Sequence, residues 1–462
     1  MNVTSEPGVI SEITDYHSIV EDYPSNEKAF IAAPEIAFYN ANVVDVEAGK
    51  ITRNAAVHIK NGRILDVSSD PTGIDSTHLN AVDLKGKYIC PGLIDCHVHL
   101  TATPGSSSLR DIFSASPNSI VYRTAYVARE MLLRGFTTVR DTGGADFALR
   151  EAIEEGLVMG PRLFIAGKAL SQTGGHGDLR ARYQGTEDKC CGGHSPNLAR
   201  ICNGIPECLE AARDELRQGA DFLKIMCGGG VASPSDALDM IQFTAEEIRA
   251  ITTTARQSKT YVTAHAYSVD AIRHAVDNGV RGIEHGNFID EETAAYCVEL
   301  GVVFTPTLVT YYGMSKPPFD KFLDEVSQIK NRQVLASGLN ALSILKNAGA
   351  TICYGSDLLA GLHPLQNQEF SIRSSVLCAS DILKSATITA AKYLGMEDQL
   401  GCIKKGSIAD MLILTANPLE DIAILDHIQD NLVAIIKDGR VVSTKSSLLS
   451  VDPLYNVSTF QP

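Results

Sequence analysis

Between about residues 92 and 357 the chain repeats one rhythm: an amphipathic helical stretch, a glycine, then a short β-branched run. The segments AREMLLRGFTTVRD, ELRQGADFLKIM, AVDNGVRGIEHG, CVELGVVFTPTLV and LKNAGATICYGSD all follow it. Glycine directly after a helix serves as a left-handed cap, and the run beyond it reads as a buried strand. In the stretch before Gly135, Val121, Ala125, Ala128 and Leu132 fall on one helical face. PGLIDCHVHL, PRLFIAG and YVTAHA supply the further strands, making eight. Eight parallel strands alternating with helices over roughly 250 to 300 residues have the size of a (β/α)8 TIM barrel. An open doubly wound sheet is the alternative, but no GxGxxG follows the first strand. The expected fold class is α/β.

The chain ends follow a different pattern. From Ile36 to about Asp83 it alternates as strands do, and AAVHIKNGRILDVSS contains an Asn61-Gly62 hairpin turn. Near the other end LVAIIKDGRVV repeats the device with Asp438-Gly439. The two read as matched hairpins of one small β-domain built from both ends. The expected organisation is a composite β-sandwich from residues 31–90 and 392–450, a barrel from 91–391 and a tail from 451–462. Residues 1–30 are polar and acidic, with Pro7, Pro24 and few large apolar side chains, and read as a flexible extension.

Composition narrows the function classes. The chain has 462 residues, 44% of them hydrophobic and 21% charged, as an ordinary globular protein does. Its net charge of −15 argues against nucleic acid or an anionic membrane as partner, since both require basic surface. No apolar run approaches a membrane span, and the N-terminus is acidic rather than signal-like. Several of the eleven cysteines, such as Cys90, Cys96, Cys227 and Cys353, sit in apolar strand contexts. They read as reduced, buried thiols of a cytoplasmic protein. Without a secretion signal, the glycosylation patterns at Asn2 and Asn456 carry little weight.

Residues able to bind metal recur at the carboxyl ends of the central strands, where barrel active sites are built. The first strand closes with His97-Val98-His99, whose imidazoles point to one side at a period of two. The fourth carries Lys224, the fifth ends in His265, the sixth in His285 and the eighth in Asp357. One histidine in an apolar run is most simply a hydrogen-bonded core residue. Six such residues, each at a strand end, favour a site. His274 in AIRHAVDNG, His17 and His427 lack this placement and read as surface or packing residues. Lys224 is the oddest of the set. DFLKIMCGGG has the build of a strand covered on both faces, where an ammonium ion has no solvent to stabilise it.

PGLIDCHVHL, Lys224, His265, His285 and a GSD ending at Asp357 resemble the binuclear amidohydrolase superfamily. GCIKKGSIADMLIL resembles the stretch by which that family's chains re-enter their β-sandwich, so the likeness spans about residues 36–445. ALSQTGGHGD and KIMCGGGVAS are similar to the branch holding ochratoxinase and metal-dependent Xaa-Pro and related dipeptidases. The resemblance implies two divalent metal ions, usually zinc. His97, His99 and Asp357 would hold one, and His265 and His285 the other. Lys224, as an N6-carboxylated anion, would bridge both together with hydroxide. The chemistry is reasonable, because burial depresses a lysine pKa by as much as ~3 to 5 units and a neutral amine can add carbon dioxide. Imidazole and carboxylate donors suit zinc, while spacing alone leaves manganese and cobalt open.

The implied reaction is hydrolysis of an amide bond, with Asp357 as general base and then general acid. His176, in a glycine-rich loop after the third strand, is suited to donate to the carbonyl oxygen or the oxyanion, with loop scaffolding as the plain alternative. Tyr267 faces the same way as His265. A tyrosine there contacts the substrate carboxylate in dipeptidase relatives, and packing is its plain alternative. The long loop 171–206 contains Cys190, Cys191 and His194, whose spacing is poor for one tetrahedral zinc, so it reads as a lid. Arg180 and Arg182 in it suit a substrate carboxylate. Cys227 stands where relatives commonly have a small polar residue.

The expected substrates are small molecules with an amide or peptide bond beside a free carboxylate, such as ochratoxin-like N-acyl amino acids or Xaa-Pro dipeptides. A cyclic amidase or deaminase of the same superfamily is the alternative. Deaminases usually work with one metal and do not need Lys224. A non-catalytic scaffold is a further alternative, opposed by six filled ligand positions. Relatives assemble into homo-oligomers, often octamers, so self-association is expected.

Overall fold

The computed structural model describes residues 33–69, 80–105, 108, 115–180, 198–233 and 236–455. The N-terminal extension with His17, the Asn2 and Asn456 patterns, and Arg182, Cys190, Cys191 and His194 lie outside the described residues. Strands β1 (Ile36–Asp45), β2 (Lys50–Lys60), β3 (Arg63–Ser68), β4 (Asn80–Asp83) and β5 (Tyr88–Pro91) come first. Next are β6 (Leu93–Val98), β7 (Phe136–Asp141), β8 (Arg162–Ile165), β9 (Ala169–Ser171) and β10 (Ala199–Ile201). The helix-rich middle continues with β11 (Leu223–Met226), β12 (Val262–Ser268), β13 (Gly282–Phe288), β14 (Val303–Thr305) and β15 (Thr351–Ile352). Strands β16 (Met411–Leu414), β17 (Leu432–Lys437) and β18 (Arg440–Thr444) close the series.

Both chain ends build one sheet, in the order β18-β17-β16-β5-β1-β2-β3, with β4 beside β1. The two expected hairpins are present and their turns touch. Asn61-Gly62 (φ 51 and 77°) and Asp438-Gly439 (φ 52 and 72°) adopt the left-handed pairs that suit strand twist. Ala409 lies between them: its N–H donates to Gly62 O (2.9 Å) and its carbonyl accepts from Gly439 N–H (3.0 Å). A β-carbon on Gly439 would come within 2.8 Å of Gly62 Cα. Alternation then divides each strand between two cores. Ile89, Met411, Ile413 and Ile436 pack with Phe38 and Val57 inside the sheet's own cluster. Their neighbours Cys90, Leu412, Leu414 and Ile435 point the other way, into a cluster with Met131, Leu132 and Phe136.

The middle of the chain is α/β with parallel sheets. β6-β7-β8 form one, and β10-β9-β11-β12-β13-β14-β15 the other. Backbone bonds tie them at both margins. Asp221 N–H donates to Ile165 O, Cys96 N–H to Tyr354 O and Asp357 N–H to His97 O, each at 2.8 Å. The expected third strand is broken into β8 and β9, and the last shrinks to the two residues of β15. Parallel pairing sets the carboxyl ends of neighbouring strands side by side. Among the described residues no helix is long and apolar enough to cross a membrane.

One helical face differs from the expected one. The helix Pro117–Leu133 buries Ile120, Thr124, Val127, Ala128, Met131 and Leu132, while Val121 is 66% exposed. Ala128 and Leu132 are shared with the expected stripe, but its true centre lies about one residue round the helix. The cause is tertiary: strand residues Phe136 and Leu412, far apart in the chain, join the same cluster. Helical periodicity carries no information about that second surface.

Gly439→Ala is expected to cost about 1 to 3 kcal/mol, read by calorimetry as a lower Tm, because it combines a strained φ with a backbone clash. Gly406→Ala shares only the positive φ (89°), with open space around its β-carbon, and should cost less.

Candidate metal centre

The four histidines and Asp357 meet, and Lys224 lies near enough to interact with the Asp357 charge. Pairing of β11 with β12 sets Met226 beside His265, and pairing of β12 with β13 sets Ala266 beside His285. Strict alternation would send Glu284 and His285 to opposite sides. His285 instead takes a left-handed conformation (φ 76°), and Asp357 does the same (φ 50°). Such backbone in non-glycine residues is costly and persists where surrounding structure enforces it. The His285 ring thereby lies 5.1 Å from that of His97, centroid to centroid, and 4.6 Å from that of His265.

His97 Nε2 and His99 Nε2 stand 3.3 and 3.2 Å from the same oxygen, Asp357 Oδ1. The three candidate donor atoms lie within 4.8 Å of one another. Each ring is anchored by its other nitrogen: His97 Nδ1 to Glu284 Oε2 (2.7 Å) and His99 Nδ1 to Gly143 O (2.8 Å). An imidazole held through Nδ1–H turns the Nε2 lone pair towards the cluster. His285 is held through Nδ1 by Thr307 Oγ1 (2.8 Å) and Tyr311 OH (3.0 Å), and His265 through Nε2 by Gly229 O (3.1 Å). This donor set, anchored imidazoles plus a carboxylate, fits a divalent cation.

Electrostatics agree with that fit. Burial opposes a charge on Asp357, yet His97, His99 and His285 hold its carboxyl well below the usual range. Burial, then neighbouring positive charge, keeps His265 well below the ordinary histidine value. His285 moves the same way, chiefly through burial. Lys224 is 2% exposed, and burial brings its ammonium down to about 8 against the pull of Glu284 and Asp357. About a tenth of the amine is therefore neutral at pH 7.

The His176 ring stacks on His265, with centroids 4.1 Å apart. Tyr267 is buried and shares a hydrogen bond with Tyr311 OH (2.9 Å). Arg180 is already engaged by Asp178 in a two-pronged pair (2.7 and 2.6 Å). His274 bonds Phe243 O (3.0 Å) and His427 is exposed, as packing and surface residues. The described cysteines are all free, and all but Cys378 are buried. Buried Cys227 has its thiol pKa pushed up by burial, so it stays protonated beside the cluster. The glycines after Lys224 serve close approach. A β-carbon on Gly229 would lie 1.7 Å from Ala237 O, and one on Gly230 would lie 2.0 Å from the His176 ring.

Sequence reasoning misses Glu284 and Arg140, although both carry the signal that singles out Lys224: a charge inside an apolar strand. Both are fully buried. Glu284 accepts from Arg140, from Thr263 Oγ1 (2.5 Å) and from His97. Burial alone would push its carboxyl up, but Arg140 and then His97 hold it well below the usual range.

Anchored imidazoles and a carboxylate gathered at the carboxyl ends of parallel strands are the mark of a metallohydrolase site. The chain belongs to the amidohydrolase family, hydrolases of carbon–nitrogen bonds that generally use a divalent metal centre; the family model matches residues 88–444. It is 30% identical to Aspergillus niger ochratoxinase over 392 residues, covering 82% of this chain and 81% of the relative. Among solved structures, a prolidase complexed with N-methylphosphonate-L-proline shares 41% identity at a TM-score of 0.85, covering 89% of this chain and 100% of that one. A Xaa-Pro dipeptidase with bound methionine shares 28% at 0.79, covering 88% and 99%. These likenesses set the chain in the branch of ochratoxinase and the dipeptidases.

Arg140→Met leaves the Glu284 carboxylate buried without its counter-charge and should cost about 3 to 5 kcal/mol in denaturant titration. Adding Glu284→Gln to that variant should recover part of the loss.

Proposed function

We propose that this protein hydrolyses an amide or peptide bond beside a free carboxylate, using a binuclear centre. His97, His99 and Asp357 would hold one divalent ion, His265 and His285 the second, and carboxylated Lys224 would bridge them, with zinc as the favoured metal. The scaffold in this reading is a closed (β/α)8 barrel beside a β-sandwich. The hydrogen bonds at both margins of the parallel sheets support closure. The observation that carries the reading is the convergence of His97 and His99 on Asp357 Oδ1, with buried Lys224, brought down to about 8 by burial, within reach of the Asp357 charge.

Bound there, such ions polarise a carbonyl and acidify water. Asp357, ionised beside His97 and His99, accepts a proton from the attacking water and returns it to the leaving amine. His176 donates to the carbonyl oxygen, and its stacking on His265 keeps it beside the imidazole cluster. Tyr267 faces the free carboxylate of the substrate. N-acyl amino acids and Xaa-Pro dipeptides are the classes favoured by the likeness to ochratoxinase and the prolidase. Self-association and a cytoplasmic setting belong to the same reading; the family resemblance supports the first and the free, buried cysteines the second.

Purified protein should bind about two divalent ions per chain, and a screen of N-acyl amino acids and dipeptides scored by released amine should find a substrate. Lys224→Ala should lose both metal and activity, with partial rescue by small carboxylic acids. Full activity in that variant would exclude the bridging role, and metal-loaded protein that cleaves no amide would exclude the reaction.

A further inference from the structure

The ring of His176 is held by a second group of buried polar residues. Its Nδ1 lies 2.9 Å from Ser233 Oγ and 3.5 Å from Asp236 Oδ2. The single hydroxyl hydrogen of Ser233 goes to the Asp236 carboxylate. Ser233 Oγ must therefore accept from His176, which places a proton on Nδ1. Asp236 Oδ2 also accepts from Gly230 N–H (3.0 Å) and Gln242 Nε2 (3.1 Å), and Gln242 Oε1 accepts from the His176 backbone N–H (2.8 Å). Ser233, Asp236 and Gln242 are all buried.

A lysine fastens this assembly from outside. Lys330, on the helix Glu325–Asn347, is buried. Its Nζ donates to the carbonyls of Gly230 (2.9 Å), Ser233 (2.9 Å) and Asp236 (2.5 Å). One ammonium group thus satisfies three backbone acceptors of the loop that presents Ser233 and Asp236. Burial alone would push Asp236 up; bonds from His176 and Ser233, with charge from Lys330, bring its carboxyl below the usual range.

With Nδ1 committed to the protein, Nε2 is the ring nitrogen left for a ligand. Donation from Nε2 as well requires two N–H groups and a positive ring, and a carboxylate one hydroxyl away is the matching counter-charge. We propose that Asp236, acting through Ser233, is a positioning residue that orients His176 as the donor to the scissile carbonyl oxygen, with Lys330 holding its loop in place. This rests on the amide-hydrolase reading and adds to it the group that makes His176 a directed donor.

A double-mutant cycle tests the link, using the fastest substrate of the amide screen and N-methylphosphonate-L-proline as a tetrahedral probe. Asp236→Asn should lower kcat about 10-fold with little change in KM, and His176→Ala about 100-fold. In the His176→Ala background, Asp236→Asn should have almost no further effect. Phosphonate affinity should fall about 10-fold in Asp236→Asn and follow the same non-additive pattern. Ser233→Ala should resemble Asp236→Asn, and Ser233→Thr, which keeps the hydroxyl, should restore most of the activity. Equal losses with and without His176, or an unchanged kcat in Asp236→Asn, would overturn the proposal. If Asp236→Asn fails to fold, the serine pair measured in both backgrounds decides between a coupled and an independent role. A metal-loaded wild type that cleaves no amide sinks the functional reading; an active wild type with an additive cycle sinks only the role of Asp236.

Discussion

The ion pair between Arg140 and Glu284 is the interaction on which the central structure turns. Neither group has solvent, so each depends on the other and on every remaining polar atom being satisfied. Arg140 Nε donates to Cys96 O at 2.6 Å, its guanidinium lies over the rings of Phe222 and Tyr393, and Nη1 reaches Tyr261 OH at 3.3 Å. Glu284 answers with bonds to Thr263 and His97. One pair therefore locks β6, β7, β12 and β13 at a common depth. It also decides which nitrogen of His97 faces Asp357.

The imidazole cluster sits on this buried base, and its other supports follow the same logic. His99 borrows the carbonyl of Gly143, whose N–H donates to Asp141 Oδ1 at 2.9 Å. His285 borrows Thr307 and Tyr311, and Tyr311 in turn meets Tyr267. His176 borrows Ser233 and Asp236. Each ring is anchored through one nitrogen, the usual way in which metal ligands are oriented. Burial that would make such groups unstable alone is tolerated because the anchors form a connected network.

Much of the architecture is legible as pattern. The glycine after each helix and the β-branched run beyond it mark the strands, and Asn61-Gly62 and Asp438-Gly439 mark the two hairpins, because these are local demands on backbone conformation. Lys224 is legible because a charge in an apolar run violates burial. Glu284 and Arg140 violate it equally, but a carboxylate and a guanidinium can cancel each other, and that partnership joins residues 144 positions apart. Val121 leaves its expected stripe for a related reason: helical periodicity names a stripe, and the packing surface chooses where on the helix its centre lies.

The sequence by itself determined the elements and the kinds of donor available, since strand alternation, turn chemistry and side-chain type are properties of neighbouring residues. Tertiary structure decided the rest: that the two hairpin turns meet across Ala409, that His285 and Asp357 adopt left-handed backbone to turn inwards, and that Arg180 is spent on Asp178. It also decided that Asp236 and Lys330, which no motif marks, stand behind His176. Those outcomes depend on contacts between segments far apart in the chain, where energy comes from burial and charge compensation that no local pattern encodes.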